Sequence, residues 1–120
     1  MAEHNEIGKK GEQLACDYLK AHGYQILHSN WHWHHYELDI VARQGKELVV
    51  VEVKTRAANY LMAPEYAVDQ GKIRRIVAAA DAYVRRYNID LSVRFDLMLL
   101  IHKEGKYSIE HVEDAFYAPC

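Results

Sequence analysis

The chain has 120 residues, half of them apolar and 27% charged, with a formal net charge of −2 when histidine is neutral. That fits one domain, residues 1–120, with enough apolar side chain for one compact core, and it argues against a disordered chain. It also argues against a protein that coats nucleic acid by bulk charge, so any such contact must come from local basic clusters.

Eight histidines mean that the net charge turns positive on mild acidification. Cys16 and Cys120 show neither CxxC spacing nor a disulfide framework. The first residues are polar and charged, with no signal-peptide pattern, and the longest apolar runs are strand-length. The expected compartment is a reducing cytoplasm, with no membrane partner.

From Asn5 to His22 the apolar positions Ile7, Gly11, Leu14, Ala15, Tyr18 and Leu19 recur at helical spacing. Asn5 is the expected N-cap and Gly23 the expected C′ residue. Glu12 sits at the border of this stripe. It can lean over whatever the helix packs against, although a solvated surface carboxylate is the ordinary reading of such a position. Tyr24 to Trp31 reads as a short strand, followed by Trp31-His32-Trp33-His34-His35-Tyr36. A second strand starting near Trp33 would put His35 on one face with Glu37 and Asp39, and His32 and His34 on the other with Tyr36. Two histidines at i, i+2 can hold zinc, but no cysteine or second histidine pair lies at a usual spacing. Protonated histidines beside a carboxylate site can instead contact phosphate.

The centre of the chain is Glu37 to Lys54, two apolar-alternating runs around a turn containing Gly45, which reads as a β-hairpin. Alternation puts Glu37, Asp39, Val50, Glu52 and Lys54 on one face and Leu38, Ile40, Ala42, Val49, Val51 and Val53 on the other, a continuous core surface. With Gln44-Gly45 as the turn, Asp39 and Glu52 are diagonal neighbours roughly 7–8 Å apart at the backbone. With Gly45-Lys46 as the turn they are directly opposite and the faces are unchanged. Thr55 to Ala63 reads as a loop, and Pro64 suits the first turn of a helix from Glu65 to Asn88. That helix has an inner stripe including Tyr66, Ile73, Ile76, Ala80, Tyr83 and Tyr87. Basic residues near its C-terminal end, Arg85 and Arg86, suit the helix dipole, but Lys72 in the first half does not. Val93 to Ile101 is a mostly apolar strand, expected to be buried on both faces and parallel to an earlier strand. A turn at Lys103–Lys106, a last strand from Tyr107 to Val112 and a tail from Glu113 complete the chain. The result is an α/β fold of order αβββαββ, a mixed central sheet flanked by helices.

An acid on one strand and Glu-x-Lys on the next make a hard-cation site. Mg²⁺ prefers one or two carboxylates, waters and phosphate oxygens. Asp39 and Glu52 would supply the carboxylates and the Val53 carbonyl another ligand. Lys54 would orient or deprotonate a water, or steady charge developing on phosphorus. On spacing alone, an ion pair of Lys54 with Glu52 or Asp39 accounts for the pattern equally well.

These residues resemble the PD-(D/E)xK nuclease superfamily and, more closely, the YraN family of small restriction-endonuclease-like proteins. The pieces that match are Gly8-Lys9-Lys10-Gly11-Glu12-Gln13-Leu14-Ala15, His22-Gly23-Tyr24, Asn30-Trp31, Glu37-Leu38-Asp39-Ile40-Val41-Ala42, Val51-Glu52-Val53-Lys54-Thr55-Arg56, Pro64-Glu65-Tyr66-Ala67-Val68, Lys72, Arg94-Phe95-Asp96 and Ala115-Phe116. The resemblance implies that Asp39, Glu52 and Lys54 are active-site positions and that Asp39 and Glu52 bind the metal. It also implies that Glu12 matches the helix acid used near the metal by Holliday-junction-resolvase-like members, so that Glu12 joins Asp39 and Glu52 as a catalytic residue and metal ligand, and that Lys72 faces the site. One departure is Tyr36, where the family usually has glycine. The implied activity is Mg²⁺- or Mn²⁺-dependent hydrolysis of DNA, structure-selective for branched or single-stranded forms. The alternative is a non-catalytic module on the same fold that binds nucleic acid or protein. DNA contacts are expected from Lys9, Lys10, Arg56, Lys72 and Arg75, with Trp31 or Trp33 available to stack on an unpaired base. Cutting both strands would need a homodimer. The Tyr60-Leu61-Met62 segment is a candidate contact surface.

Overall fold

A computed structural model describes residues 2–58 and 68–117, with side chains from residue 8 onward. The elements are α1 (Ala2–Ala21), β1 (Gln25–Trp33), β2 (Tyr36–Gln44), β3 (Glu47–Ala57), α2 (Gln70–Arg86), β4 (Ser92–Lys103) and β5 (Lys106–Phe116). The sheet order is β1-β2-β3-β4-β5: an antiparallel meander, a parallel β3–β4 pair, and an antiparallel β4–β5 hairpin. This is the expected αβββαββ mixed sheet. No helix among the described residues is long and apolar enough to cross a membrane.

The two helices cover opposite faces. Ile73, Ile76, Ala80 and Tyr83 of α2 pack on Val41, Leu48, Val50, Phe95 and Leu97. Ala15 and Leu19 of α1 pack on Ile40, Ala42, Val49, Val51, Met98 and Leu100. That is why β3 and β4 read as nearly continuous apolar runs: each strand feeds both cores. Each fully buried aliphatic side chain contributes about 1.5–3 kcal/mol. At the end of α1, Gly23 has φ +87. Its N–H donates to the Lys20 carbonyl at 3.1 Å and that of Tyr24 to the Leu19 carbonyl at 2.9 Å, a Schellman cap closed by the Leu19–Tyr24 contact.

The central hairpin takes the second of the two possible turns. Gln44 pairs with Glu47, so Gly45-Lys46 is the loop, with Gly45 at φ +59 in its first central position as a type II′ turn requires. The β2–β3 pairing ends at Ile40–Val51. One further step places Asp39 opposite Glu52.

Several expectations are corrected. The α1 backbone is helical from Ala2, so Asn5 lies inside the helix and is not its cap. Trp33 belongs to β1 and pairs with Tyr36, leaving His34-His35 as a tight turn with His34 at φ +55. His32 and His34 therefore share no strand face, and His35 does not join Glu37 and Asp39. The cause is Trp31, which packs against the α2-side core and draws β1 onward. Leu38 was expected beside Ile40 but is buried in the α2-side core. On the neighbouring strand Asn30, at φ +52, interrupts the pairing between Ser29–Ile40 and Trp31–Leu38. Thr55–Ala57 continue β3 instead of starting a loop. The helix after it begins at Gln70 with Asp69 as N-cap, and ends at Arg86. The expected helix start at Pro64-Glu65 and the Tyr60-Leu61-Met62 surface lie outside the described residues, as does Cys120. The last strand runs to Phe116, not Val112, because Phe116 stacks on Phe95 with ring centroids 5.4 Å apart.

Candidate functional site

β2 and β3 part company at the point where the acids stand. Beyond Ile40–Val51, β3 stays paired with β4 as far as Ala57 and β2 stays paired with β1 as far as Tyr36. Asp39 fills the gap: its Oδ2 accepts the Val53 N–H at 2.9 Å, a side chain standing in for a ladder bond. In a strand the C=O of a residue lies on the same edge as its N–H, so the Val53 carbonyl faces the same gap.

Glu52 shares the α2 side of β3 with Val50 and is only 6% exposed. Its Oε2 is buried without a hydrogen-bond partner. Lys72 Nζ of α2 lies 3.7 Å from that oxygen, close enough to balance charge but without a hydrogen bond. The Asp39 carboxyl neighbours Glu52. Burial first, then the hydrogen bond and charge of Glu52, push Asp39 up to about 8, against the opposing pull of the Val53 N–H and Lys72. A buried carboxyl and a half-buried one, one oxygen left unbonded and a main-chain carbonyl nearby make a donor set that a hard divalent cation would satisfy. Among the described residues, no three His, Cys, Asp or Glu side chains are grouped to hold a metal. Two carboxylates are the number Mg²⁺ prefers, its shell being completed by waters and phosphate oxygens.

Glu12 approaches from the other face of the sheet. It is half-buried, hydrogen-bonded to Asn30 and within the electrostatic reach of Asp39 and Glu37. Burial first raises its pKa, the bond to Asn30 lowers it, and the neighbouring carboxylates add to the rise. Its charge reaches Asp39 from the α1 side, and among the described residues the three acids do not form one ligand cluster. Its position depends on Gly11, where a Cβ would collide with Thr55 Oγ1, so α1 lies hard against the end of β3. A cleft of about 300 Å³ lined by Lys9, Glu12, Gln13, Cys16, Ser29 and Asn30 opens on that side.

Lys54 shares the Glu52 side of β3 by alternation and is half-buried; its charge also reaches Asp69, as the smallest of the causes acting on that carboxyl. Arg75 also acts on Asp69. Lys54, Lys72 and Arg75 thus gather around the start of α2, whereas Lys9 and Lys10 are exposed on α1. Arg56 is half-buried and its Nη1 donates to the Thr55 carbonyl at 2.9 Å. Lys72 points at Glu52 and so belongs to the carboxylate site more than to an outer basic patch.

Two features escape sequence reasoning. Asp69 caps α2 by accepting the Lys72 N–H at 2.8 Å, and that bond is the first cause of its lowered pKa. The cue was an Asp three residues before Lys72, ahead of the periodic stripe. The second is a buried network on the α1 side of β4. Asp96, fully buried, accepts from Arg94 Nε at 2.9 Å, Arg94 Nη2 at 2.8 Å and the Asp114 N–H at 3.0 Å, and lies 2.7 Å from His111 Nε2. Burial raises the Asp96 pKa, but His111, Arg94 and the Asp114 N–H outweigh it and hold the carboxyl below its usual range. Arg94 also reaches the Tyr24 hydroxyl at 2.7 Å and Glu47 at 3.0 Å. An Arg and an Asp two apart on a strand were the visible cue, since both fall on one face.

Residues 11–100 match the profile of a family described as "Uncharacterised protein family UPF0102". A "UPF0102 protein" of Parabacteroides distasonis is 64% identical over 120 residues, covering 100% of this chain and 99% of the relative. One from Bacteroides thetaiotaomicron is 54% identical, covering 99% and 98%. One from Flavobacterium psychrophilum is 43% identical, covering 98% of each.

Proposed function

We propose that this chain, which belongs to the UPF0102 family, is a divalent-metal-dependent nuclease of the PD-(D/E)xK type that hydrolyses phosphodiester bonds in DNA. The carrying observation is the Asp39–Glu52 pair: two neighbouring carboxyls in an opened sheet, with Glu52 Oε2 buried and unbonded. A purely structural ion pair would satisfy that oxygen. Lys72 Nζ pairs with that oxygen across 3.7 Å and balances its charge, yet makes no hydrogen bond to it.

Asp39, Glu52 and the Val53 carbonyl would hold Mg²⁺ or Mn²⁺, which supplies an acidified water and a polarised phosphate when bound. Lys54 borders the site from β3, where its ammonium can orient the attacking water or steady a non-bridging phosphate oxygen. Lys72 offsets the charge of Glu52. Glu12 raises the negative field at Asp39 from the opposite face. Lys9, Lys10 and Arg75 are exposed and placed to meet phosphates on either side; Arg56 lies half-buried at the end of β3. One chain offers one such site, so cutting both strands of a duplex calls for a homodimer.

The test is cleavage of branched and single-stranded DNA with Mg²⁺ and with Mn²⁺. Wild type should cleave, while Glu52→Gln and Lys54→Ala should each lose about a hundredfold or more in rate with circular dichroism unchanged. Absence of cleavage by wild type with both metals, alongside DNA binding that survives chelation, would leave the binding-module reading.

A further inference from the structure

On the α2 side of the sheet, at the β1 edge, lies a second feature that the carboxylate site does not use. Trp31, His32 and Trp33 from the end of β1, and Ala82, Arg86 and Tyr87 from the end of α2, line a cleft of about 320 Å³. That is at the small end of ligand-binding cavities. Its floor is fixed. Trp31 Nε1 donates to the Tyr87 hydroxyl at 3.3 Å, and the Trp31 ring meets Tyr83 edge-on at 5.1 Å. Tyr83 is itself buried in the core, 2% exposed. Its walls are open: Trp33 is 36% and Tyr87 39% exposed, an unusual concentration of large aromatic surface in contact with water. Arg86 lies over the Tyr87 ring at 5.6 Å. It bonds to the Tyr87 side chain and lowers the Tyr87 pKa, and among the described residues no carboxylate pairs with it, so donors remain for an anion.

Exposed ring faces that are held in place, with an available guanidinium beside them, suit a flat aromatic group joined to an anion. A nucleobase with its phosphate has that chemistry. A base inside a duplex has both faces covered by its neighbours, so the ligand must be unpaired. The location agrees. Trp31 pairs with Leu38, the residue next to Asp39, and packs on the same α2-side core whose face carries Glu52.

We propose that this cleft holds an unpaired nucleobase of a single-stranded DNA segment that continues toward Asp39 and Glu52. As a statement about substrate class this rests on the nuclease reading, but the binding itself requires no metal. The chain's two tryptophans both line the cleft, so intrinsic fluorescence reports on it directly. The experiment titrates the full chain, in chelator, with a short oligothymidylate and with a duplex of equal length. Saturable quenching by the single strand is expected, with at least tenfold weaker binding of the duplex. Trp33→Ala and Arg86→Ala should each weaken single-strand binding by about tenfold. Trp33→Phe should retain most of it, with folding checked by circular dichroism. Equal affinity for both forms, or single-strand affinity unchanged in Trp33→Ala and Arg86→Ala, overturns the inference. Cleft-dependent binding without cleavage in Mg²⁺ or Mn²⁺ supports it while the nuclease reading fails. Cleavage that is indifferent to both substitutions overturns it while the nuclease reading stands.

Discussion

Replacing Asp39 by asparagine should stabilise the metal-free protein, and increasingly so as pH rises. Burial and the neighbouring Glu52 push the Asp39 carboxyl from 3.8 up to about 8. The folded-state value lies above the unfolded one. Between those two values the folded chain holds a proton that the unfolded chain has released, so stability falls as pH rises through this window. A gap of this size corresponds to ~6 kcal/mol at full effect. Asp39 keeps some exposure and Lys72 already offsets part of the pair's charge from 3.7 Å, so a loss of about 2–3 kcal/mol is the working expectation. Asparagine keeps the volume and the oxygen that accepts the Val53 N–H, and its amide stands in for the protonated acid. Urea denaturation in chelator at about pH 5, 7 and 9 measures the effect. Wild type and Asp39→Asn should agree within about 1 kcal/mol at the lowest pH and diverge by about 2–3 kcal/mol at the highest. Other titrating groups, Asp96 included, are common to both proteins and cancel. Added Mg²⁺ should recover wild-type stability at high pH and leave the variant unmoved. Two parallel stability–pH curves would refute the claim that the Asp39–Glu52 pair carries unrelieved charge.

The other expectations concern the supports of the site. Gly11→Ala drives a methyl into Thr55 Oγ1 and should cost about 1–3 kcal/mol; combining it with Thr55→Ala removes the collision and should recover most of the loss in thermal denaturation. Asp96→Asn removes the buried carboxylate that Arg94 and His111 share and leaves Arg94 only the more exposed Glu47 and Glu113, and should cost about 3 kcal/mol. Because the Asp96 carboxyl is held below its usual value, the stability it contributes is present above the unfolded pKa of 3.8 and is lost as pH falls through the folded value. Acid unfolding of wild type should therefore steepen below about pH 4, and that step should be missing in the variant.

Much of the fold was legible because period two and period 3.6 leave marks in a sequence. Alternation put Asp39 and Glu52 on one side of their strands whichever residues formed the turn, and the structure keeps them together. What alternation could not decide was the turn itself, since both placements include Gly45; the left-handed φ of a type II′ first position decides it. The β1–β2 turn was missed because Trp31 to Tyr36 contains no Gly, Pro, Asn or Asp to announce one, and His34 takes the left-handed conformation instead. The start of α2 was misplaced because Pro64 reads as an opening signal, whereas the cap is Asp69, inside the stretch assigned to the helix. The end of β5 was hidden by Asp114 at φ +54, which breaks the alternation just before Phe116. Contacts between a helix and a sheet, such as Lys72 with Glu52 or Glu12 with Asn30, leave no local trace at all, because they depend on how whole elements stack.

The opened sheet explains why the acids sit where they do. A continuous ladder between β2 and β3 would satisfy the Val53 N–H with backbone and leave no room for a ligand between the strands. Here the Asp39 side chain takes that bond, and each strand is held by its other neighbour, β2 by β1 and β3 by β4. The separation needs both apolar layers, since either strand alone would be an unpaired edge at this point. A carboxyl pair left unneutralised in such a gap works against folding. Its retention in a sheet otherwise built for stability follows if binding a cation there is what the arrangement serves. Neutralising the pair should therefore raise stability and abolish metal affinity together. A variant that gained stability yet bound metal as well as wild type would separate the two and remove the link between this gap and its proposed chemistry.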